Sequence, residues 1–419
     1  MQRLNIAILH YAGPPTVGGV EVTMAQHARV LAADGHTARI VAGRAGELPA
    51  PVEVVVEPLL DSRGPEVDAV NAALAEGVAG PAFEALTERI AERLAAALAG
   101  VDVAVVHNVL TLHKNLAFTA ALRRLHDAGH APRLLAWCHD FAWLDPLYAG
   151  ALHDGPPWRL LREAWPGVRY VVVSRDRREQ LAALLGLPPG EIPVVTPGVE
   201  LAAFLKLEPE TAALAGRLDL LRADPLLLLP ARVTRRKNIE LAVAIAAGLR
   251  RLGLAPRLVV TGPPGPHNPA NAAYLAALQE LRRTSGAGDS VVFLYKAFTD
   301  AQGRPRPVTD AMLSDLYRLA DGLLFPSRYE GFGIPMVEAG LAGIPIFCSD
   351  IPPFRETAGE AALYFAPDAP PEETAARIAA ALRADPRAAL RRRVRLEYTW
   401  EAIYRRDIAP LLAEAAPGG

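Results

Sequence analysis

A strand, a glycine-rich turn, a helix and a second strand follow one another in the first forty residues, and that succession constrains the fold more than any other feature. Residues 4–9 form a short apolar run of buried-strand character. A Gly/Pro loop comes next, and Val20, Met24, Ala28 and Leu31 then fall on one helical face. Gly35 can end the helix in the left-handed conformation, and residues 38–41 give the next strand. Such a βαβ unit implies a parallel sheet. The alternation continues through strands at 52–56, 101–106, 133–138 and 169–173 and a last one near 194–195, with a helix at 84–98 carrying Leu86, Ile90 and Leu94. Residues 201–225 show no strand pattern and read as a connection. A second series then runs through strands at 226–229, 257–261, 291–294, 322–325 and 345–348, with helices at 238–252, 270–283, 310–319 and 335–342 between them. Two doubly wound α/β domains in tandem are expected, with ligands at the carboxyl ends of their strands, facing a cleft.

Composition agrees with two cores. The 419 residues suit two domains of about 150–200 residues each, and 51% apolar residues supply the interiors. Lys and Arg (44) nearly balance Asp and Glu (46), so no basic excess points to nucleic acid. Cys138 and Cys348 have neither CxxC nor Cys/His ligand spacing and read as packed thiols in a reducing compartment. The apolar run at 4–9 is too short for a signal peptide, and no stretch approaches the roughly 20 apolar residues that span a bilayer. A cytoplasmic protein is expected.

Four constellations could carry chemistry. The strongest runs from Phe325 to Ala339, FPSRYEGFGIPMVEA, from a strand end through a Gly-rich turn into a helix. Its glycines let backbone N–H groups approach a ligand, and the helix N-terminus favours an anion. Glu330 and Glu338 suit hydroxyl groups better than phosphate, so amides flanked by these carboxylates fit a polyol phosphate; a solvated loop charge and a helix N-terminal acid are the plainer reading. The second is the cation run Arg232, Arg235, Arg236 and Lys237 at the end of strand 226–229, where it could offset a diphosphate's charge or simply be solvated, with Asn238 as the following helix's N-cap. The third is the loop Val17-Gly18-Gly19-Val20-Glu21, which is not a GxGxxG. The fourth is His139, in Trp137-Cys138-His139-Asp140-Phe141 at a strand end, followed by Trp143 and Tyr148, rings that could stack on a sugar or anchor the core. His107-Asn108 and Lys114-Asn115 flank another loop at the same edge and are candidates for acceptor contacts.

The Glu330-x7-Glu338 spacing resembles the large retaining glycosyltransferase family of the GT-B fold, which includes sucrose and glycogen synthases and bacterial mannosyl- and glucosyltransferases, and the likeness extends over nearly the whole chain. The resemblance implies that Glu330 reaches the donor sugar's hydroxyls and Glu338 those of the nucleotide ribose. The backbone at Phe332, Gly333 and Ile334 would face sugar and diphosphate, and Arg232 and Lys237 would bind the diphosphate. Gly18 and Gly19 would donate N–H groups towards the diphosphate and acceptor, and His139 would approach the reacting centre. Gly262, in the turn 262–268 that includes His267 and Asn268, also has a counterpart, and residues 291–295 would read the nucleobase through the backbone. The implied division is 1–200, an acceptor-side domain; 201–395, a donor domain; and 396–419, a helix crossing back to the first.

No Asp-x-Asp occurs in the chain, so the cations are expected to do the work of a metal, with no cofactor. The expected activity is a retaining transfer of a hexose, glucose or mannose, from a nucleoside diphosphate sugar to a hydroxyl acceptor, a small soluble one. The alternatives are a sugar-nucleotide epimerase of the same architecture, or transfer to a lipid-linked acceptor that draws the protein to a membrane surface. Donor base, linkage and oligomeric state have no signature in the residues.

Overall fold

The structure is a computed structural model describing residues 2–16, 18–49, 51–265 and 270–415. Val17, Pro266, His267 and Asn268, named above in two loops, lie outside the described residues. The chain divides into two compact units, Met1–Val199 with Trp400–Gly419, and Glu200–Thr399.

The first unit is built on six parallel strands: β1 (Asn5–Ala12), β2 (Thr37–Arg44), β3 (Glu53–Val56), β4 (Val103–His107), β5 (Arg133–Cys138) and β6 (Arg169–Val172), in the order β3-β2-β1-β4-β5-β6. Side chains of a strand alternate between the faces of a sheet, and here both faces are apolar. Ile6 and Ile8 pack with Met24, Ala28 and Leu31 of the helix Gly19–Ala33, whereas Ala7 and Leu9 join Phe83, Ile90 and Phe118 on the opposite face. Burial on both sides is why these strands read as continuous apolar runs. Trp400, Ile403, Leu411 and Leu412 from the C-terminal segment belong to the same cluster as Ile6 and Met24.

The second unit repeats the plan with β7 (Leu226–Leu229), β8 (Arg257–Val260), β9 (Val291–Phe293), β10 (Gly322–Phe325), β11 (Ile346–Ser349) and β12 (Ala362–Phe365), ordered β12-β11-β10-β7-β8-β9. Both sheets are therefore doubly wound. In each, the strand order reverses beside the unit's first strand, at β1/β4 and at β7/β10. Loops leaving the two strands of such a pair diverge to opposite faces and leave a crevice between them.

Two expectations need correction, and two elements were missed. No strand forms at 194–195; Val194 makes only an isolated bridge to Val172. Residues 201–225 form no strand, as expected, but they belong to the second unit instead of being a bare connection, and hold the helices Leu201–Phe204 and Pro209–Arg217, the second burying Thr211, Leu214 and Ala215. β12, half-buried at an edge, and the helix Pro65–Ala75 were not legible as periodic segments.

One buried ion pair fastens the amino ends of the second sheet. Arg395 Nη2 lies 2.5 Å from Asp321 Oδ2, with both side chains almost fully buried. Asp321 Oδ2 also accepts the Leu226 N–H, and Arg395 donates to the carbonyls of Leu220 and Leu221. Removing one partner strands a buried charge, which costs about 3–5 kcal/mol. Arg395→Ala is expected to lower the melting temperature by on the order of 10 °C, measured by calorimetry; an unchanged transition would show that the pair contributes nothing.

Candidate functional site

The crevice at β7/β10 is where the two strongest motifs meet. Residues 230–237 leave β7 and residues 326–333 leave β10. Asn238 ties the two loops together: held in the left-handed region (φ 53°), it donates through Nδ2 to the carbonyls of Pro326 (3.0 Å) and Pro367 (2.8 Å). It occupies the N-cap position of the helix Ile239–Arg251, but its side chain makes no capping bond: Nδ2 is turned to these carbonyls, and Oδ1, the atom that would accept the cap, is buried without a partner. Gly262, after β8, packs on the first loop so closely that an added Cβ would lie 2.5 Å from the Ala231 carbonyl oxygen. A side chain there would push the Arg232 segment outward.

A cavity of about 610 Å³ fills this crevice, lined among others by Arg232, Arg236, Lys237, Glu330 and Glu338 and by residues 332–335. Lys237 is buried, and its Nζ lies 2.5 Å from Glu330 Oε1 and 4.6 Å from the centre of the Phe325 ring. Arg236 binds the second oxygen of Glu330. Burial pulls the Lys237 ammonium below the usual lysine range, against the opposing pull of Glu330. For Glu330 burial acts upward, but Lys237 and Arg236 outweigh it and hold the carboxyl below its ordinary value. Arg232 is exposed on the cavity wall and has no carboxylate partner among the described residues. Arg235, indistinguishable from Arg236 in the sequence, turns away to lie 5.0 Å over the Tyr274 ring.

The opposite wall is the amino end of the helix Ile334–Ala342. Gly333 sits at φ 98°, and a Cβ there would press on the Phe354 ring at 2.8 Å, so glycine is required on both counts. The free N–H groups of that first turn favour an anion. Pro335 is the helix's second residue, and Glu338 receives a hydrogen bond from the Tyr317 hydroxyl at 2.6 Å. Tyr317 carried no recognisable sequence signal, and Arg236 showed only as one cation of a run, because each acts on another side chain across the fold. Beyond Arg232, a second recess of about 570 Å³ is walled by Gly262, Pro263 and Tyr295.

In the first unit, the β1/β4 crevice gathers the other expected residues. Gly18 is extended and Gly19 opens the helix Gly19–Ala33; a Cβ on Gly19 would meet nothing within 4 Å, so its backbone faces open space. His139 follows β5. Its backbone N–H, and that of Asp140, donate to Asn108 Oδ1 at 2.7 and 3.2 Å, and its ring Nε2 is 3.0 Å from His107 Nδ1. His107 and Asn108, expected at the acceptor, are instead buried beneath His139 and brace it. Trp143 and Tyr148 are engaged within the fold as well: Arg162 covers the Trp143 ring at 4.1 Å, and Lys114 and His113 lie against Tyr148. Burial pushes the His139 imidazole down to about 4, so it is neutral at pH 7 and acts as a hydrogen-bonding group.

Among the described residues, no cluster of three or more His, Cys, Asp or Glu side chains could hold a metal ion, and no helix is long and apolar enough to cross a membrane.

Comparison with known proteins follows the same division. The family model "Glycosyltransferase Family 4" matches residues 17–203 and "Glycosyl transferases group 1" matches 218–397. A D-inositol 3-phosphate glycosyltransferase of Frankia alni is 30% identical over 270 residues, covering 56% of this chain and 62% of that protein. One from Catenulispora acidiphila is 32% identical over 185 residues, 44% and 41% of the two chains. The serotype-specific mannosyltransferase WbdA of Escherichia coli is 43% identical over 63 residues, 15% of this chain and 8% of that one. The chain thus spans less than two thirds of the length of each of these relatives. Among solved structures, sucrose-phosphate synthase from Thermosynechococcus elongatus aligns with 98% of this chain and 99% of its own at 20% identity, with a TM-score of 0.39. Matched by one family model in its first half and by the other in its second, the chain belongs to the family 4 and group 1 glycosyltransferases.

Proposed function

We propose that the protein is a retaining glycosyltransferase that moves a hexose from a nucleoside diphosphate sugar to a hydroxyl acceptor without a metal ion. The observation that carries this reading is the grouping of Arg232, Lys237, Glu330, Glu338 and the amino end of helix Ile334–Ala342 around one cavity. Cations and helix amides complement a diphosphate, and carboxylates complement sugar and ribose hydroxyls. Arg232 and Lys237 hold the diphosphate and stabilise the charge that grows on it as it departs. Glu330 positions the sugar, Glu338 the ribose, and His139 the sugar face near the anomeric carbon. Gly18 and Gly19 offer backbone N–H groups on the first unit. In the transfer, the bond from anomeric carbon to phosphate oxygen breaks as the acceptor oxygen bonds to that carbon. The acceptor's proton passes to the departing phosphate oxygen. The mannosyltransferase among the relatives supports the hexose assignment.

Thermal shift with uridine, guanosine and adenosine diphosphate sugars is the direct test, followed by nucleoside diphosphate release with the best donor. One of the series should raise the melting temperature, and Glu330→Ala should abolish turnover. No shift with any donor, or full turnover by Glu330→Ala, would sink the assignment. Tyr317→Phe removes the hydroxyl that holds Glu338 and should raise the KM for donor several-fold with little change in kcat. A fall in kcat alone would place Glu338 at the reacting centre instead of the ribose.

A further inference from the structure

One proton lies between two imidazoles of the first unit, and the surroundings of the deeper ring decide which of them owns it. His107 closes β4 and is fully buried, whereas His139 follows β5 and is half-buried. His107 Nδ1 and His139 Nε2 stand 3.0 Å apart. The backbone under the outer ring is fixed, because Asn108 Oδ1 accepts the N–H groups of His139 and Asp140. Burial keeps both rings neutral at pH 7, so each carries a single N–H. Two arrangements then join them. In one, His139 donates from Nε2 and His107 keeps its proton on its own Nε2. In the other, His107 donates from Nδ1 and its Nε2 is a bare lone pair. His107 Nε2 is buried with no hydrogen-bond partner. Buried N–H groups are seldom left orphaned, and buried acceptors less seldom. No ring face stands ready to receive an N–H there: His27 and Trp137 lie tilted at 43° and 31° to His107, neither edge-to-face. The first arrangement buries an orphan donor and the second avoids it.

We infer that His107 is a positioning residue that donates from Nδ1 to His139 Nε2, so that His139 holds its own proton on Nδ1 and offers an N–H to the ligand. His139 Nδ1 has no hydrogen-bond partner among the described residues. That the ligand is a donor sugar rests on the glycosyl-transfer reading above; the bond between the rings does not. The consequence is directional. With Nε2 filled by His107 and Nδ1 protonated, His139 has no free lone pair. It can donate to a sugar oxygen, and it cannot take the proton of the acceptor hydroxyl.

The whole protein, isotopically labelled at its histidine ring nitrogens, is studied at pH 7.5 without donor by long-range proton–nitrogen correlation. The His139 signals are identified by their loss in His139→Gln. Wild-type His139 should show a protonated Nδ1 and an unprotonated Nε2; a protonated Nε2 would overturn the inference. His107→Phe removes the hydrogen bond and should turn His139 into a mixture of tautomers, with kcat/KM for donor turnover lowered about tenfold, the worth of one hydrogen bond. His107→Asn places an amide nitrogen near the lost Nδ1 and should restore the single tautomer and bring activity within about threefold of wild type. An unaltered His139 tautomer in His107→Phe would reduce His107 to a packing residue and overturn the inference, whatever the melting temperature. Should His107→Phe fail to fold, the wild-type spectrum and His107→Asn decide. A protonated Nδ1 in a protein that binds no donor would leave the pairing of the rings standing and remove the glycosyl-transfer reading. Donor turnover with a protonated Nε2 would do the reverse.

Discussion

Lys237→Ala should lower kcat/KM for donor turnover by about 10²–10³-fold, the range found when one preorganised group at a developing charge is removed. Two losses combine. The ammonium would no longer face the departing diphosphate, and Glu330 would lose the partner 2.5 Å away that fixes its first oxygen. Arg236 would keep the other oxygen, so the carboxylate would stay in the cavity with its direction altered. Lys237→Arg should not restore activity, because a planar fork does not reproduce the point charge that stands 4.6 Å from the centre of the Phe325 ring and 2.5 Å from Glu330 Oε1. The same pair implies competition on the proposed reading. Glu330 is paired with Lys237 in the structure; a diphosphate bound as proposed would have to draw the ammonium from the carboxylate, which would then be free to meet sugar hydroxyls. Measured by nucleoside diphosphate release, with melting temperature as the control for folding, activity within threefold of wild type would remove Lys237 from the mechanism.

Acid should weaken the first unit well before the second. Nine of the ten histidines lie in the first unit. Burial pushes His10 and His139 down to about 4 and His27 to about 3, and holds His107 well below the ordinary imidazole value. His113 is also pushed down to about 4. A histidine depressed in the folded state takes up its proton first in the unfolded chain, so stability is constant above the unfolded value near 6.5 and falls as pH drops from there towards 4. Each such group contributes a slope of up to about 1.4 kcal/mol per pH unit. Because the rings of His27, His107 and His139 are neighbours, the total will be less than additive. All five tryptophans are also in the first unit, so their fluorescence reports its unfolding alone. The urea midpoint followed by that signal should drop markedly between pH 7.5 and pH 5, and His27→Phe should flatten the dependence. Equal midpoints at the two pH values would refute the account.

The sequence disclosed what depends on periodicity and on short contiguous strings. Strands such as β5 and β7 announced themselves because burial on both faces leaves no polar residue to interrupt them. The 325–339 string carried its strand end, Gly333 and two carboxylates in one stretch, and the structure sets them around one cavity. What stayed hidden depends on pairing across the fold. Nothing local separates Arg236 from Arg235, yet one binds Glu330 and the other stacks on Tyr274. His107 and Asn108 looked like ligand contacts because polar residues at a strand end are usually exposed; only the packing of His27 and Trp137 around His107 reveals that they support His139 from below. β12 escaped because a half-buried edge strand has no strong alternation to read.

The chain's route through its two units also has a consequence for biosynthesis. Trp400, Ile403 and Leu412 complete the hydrophobic layer that Met24 and Ile8 begin. A nascent chain that has emerged only as far as residue 199 therefore holds a sheet with one face partly bare, and it must wait while some two hundred further residues are made. The unit translated first is the last to be finished. During synthesis its uncovered face is the surface most in need of a chaperone.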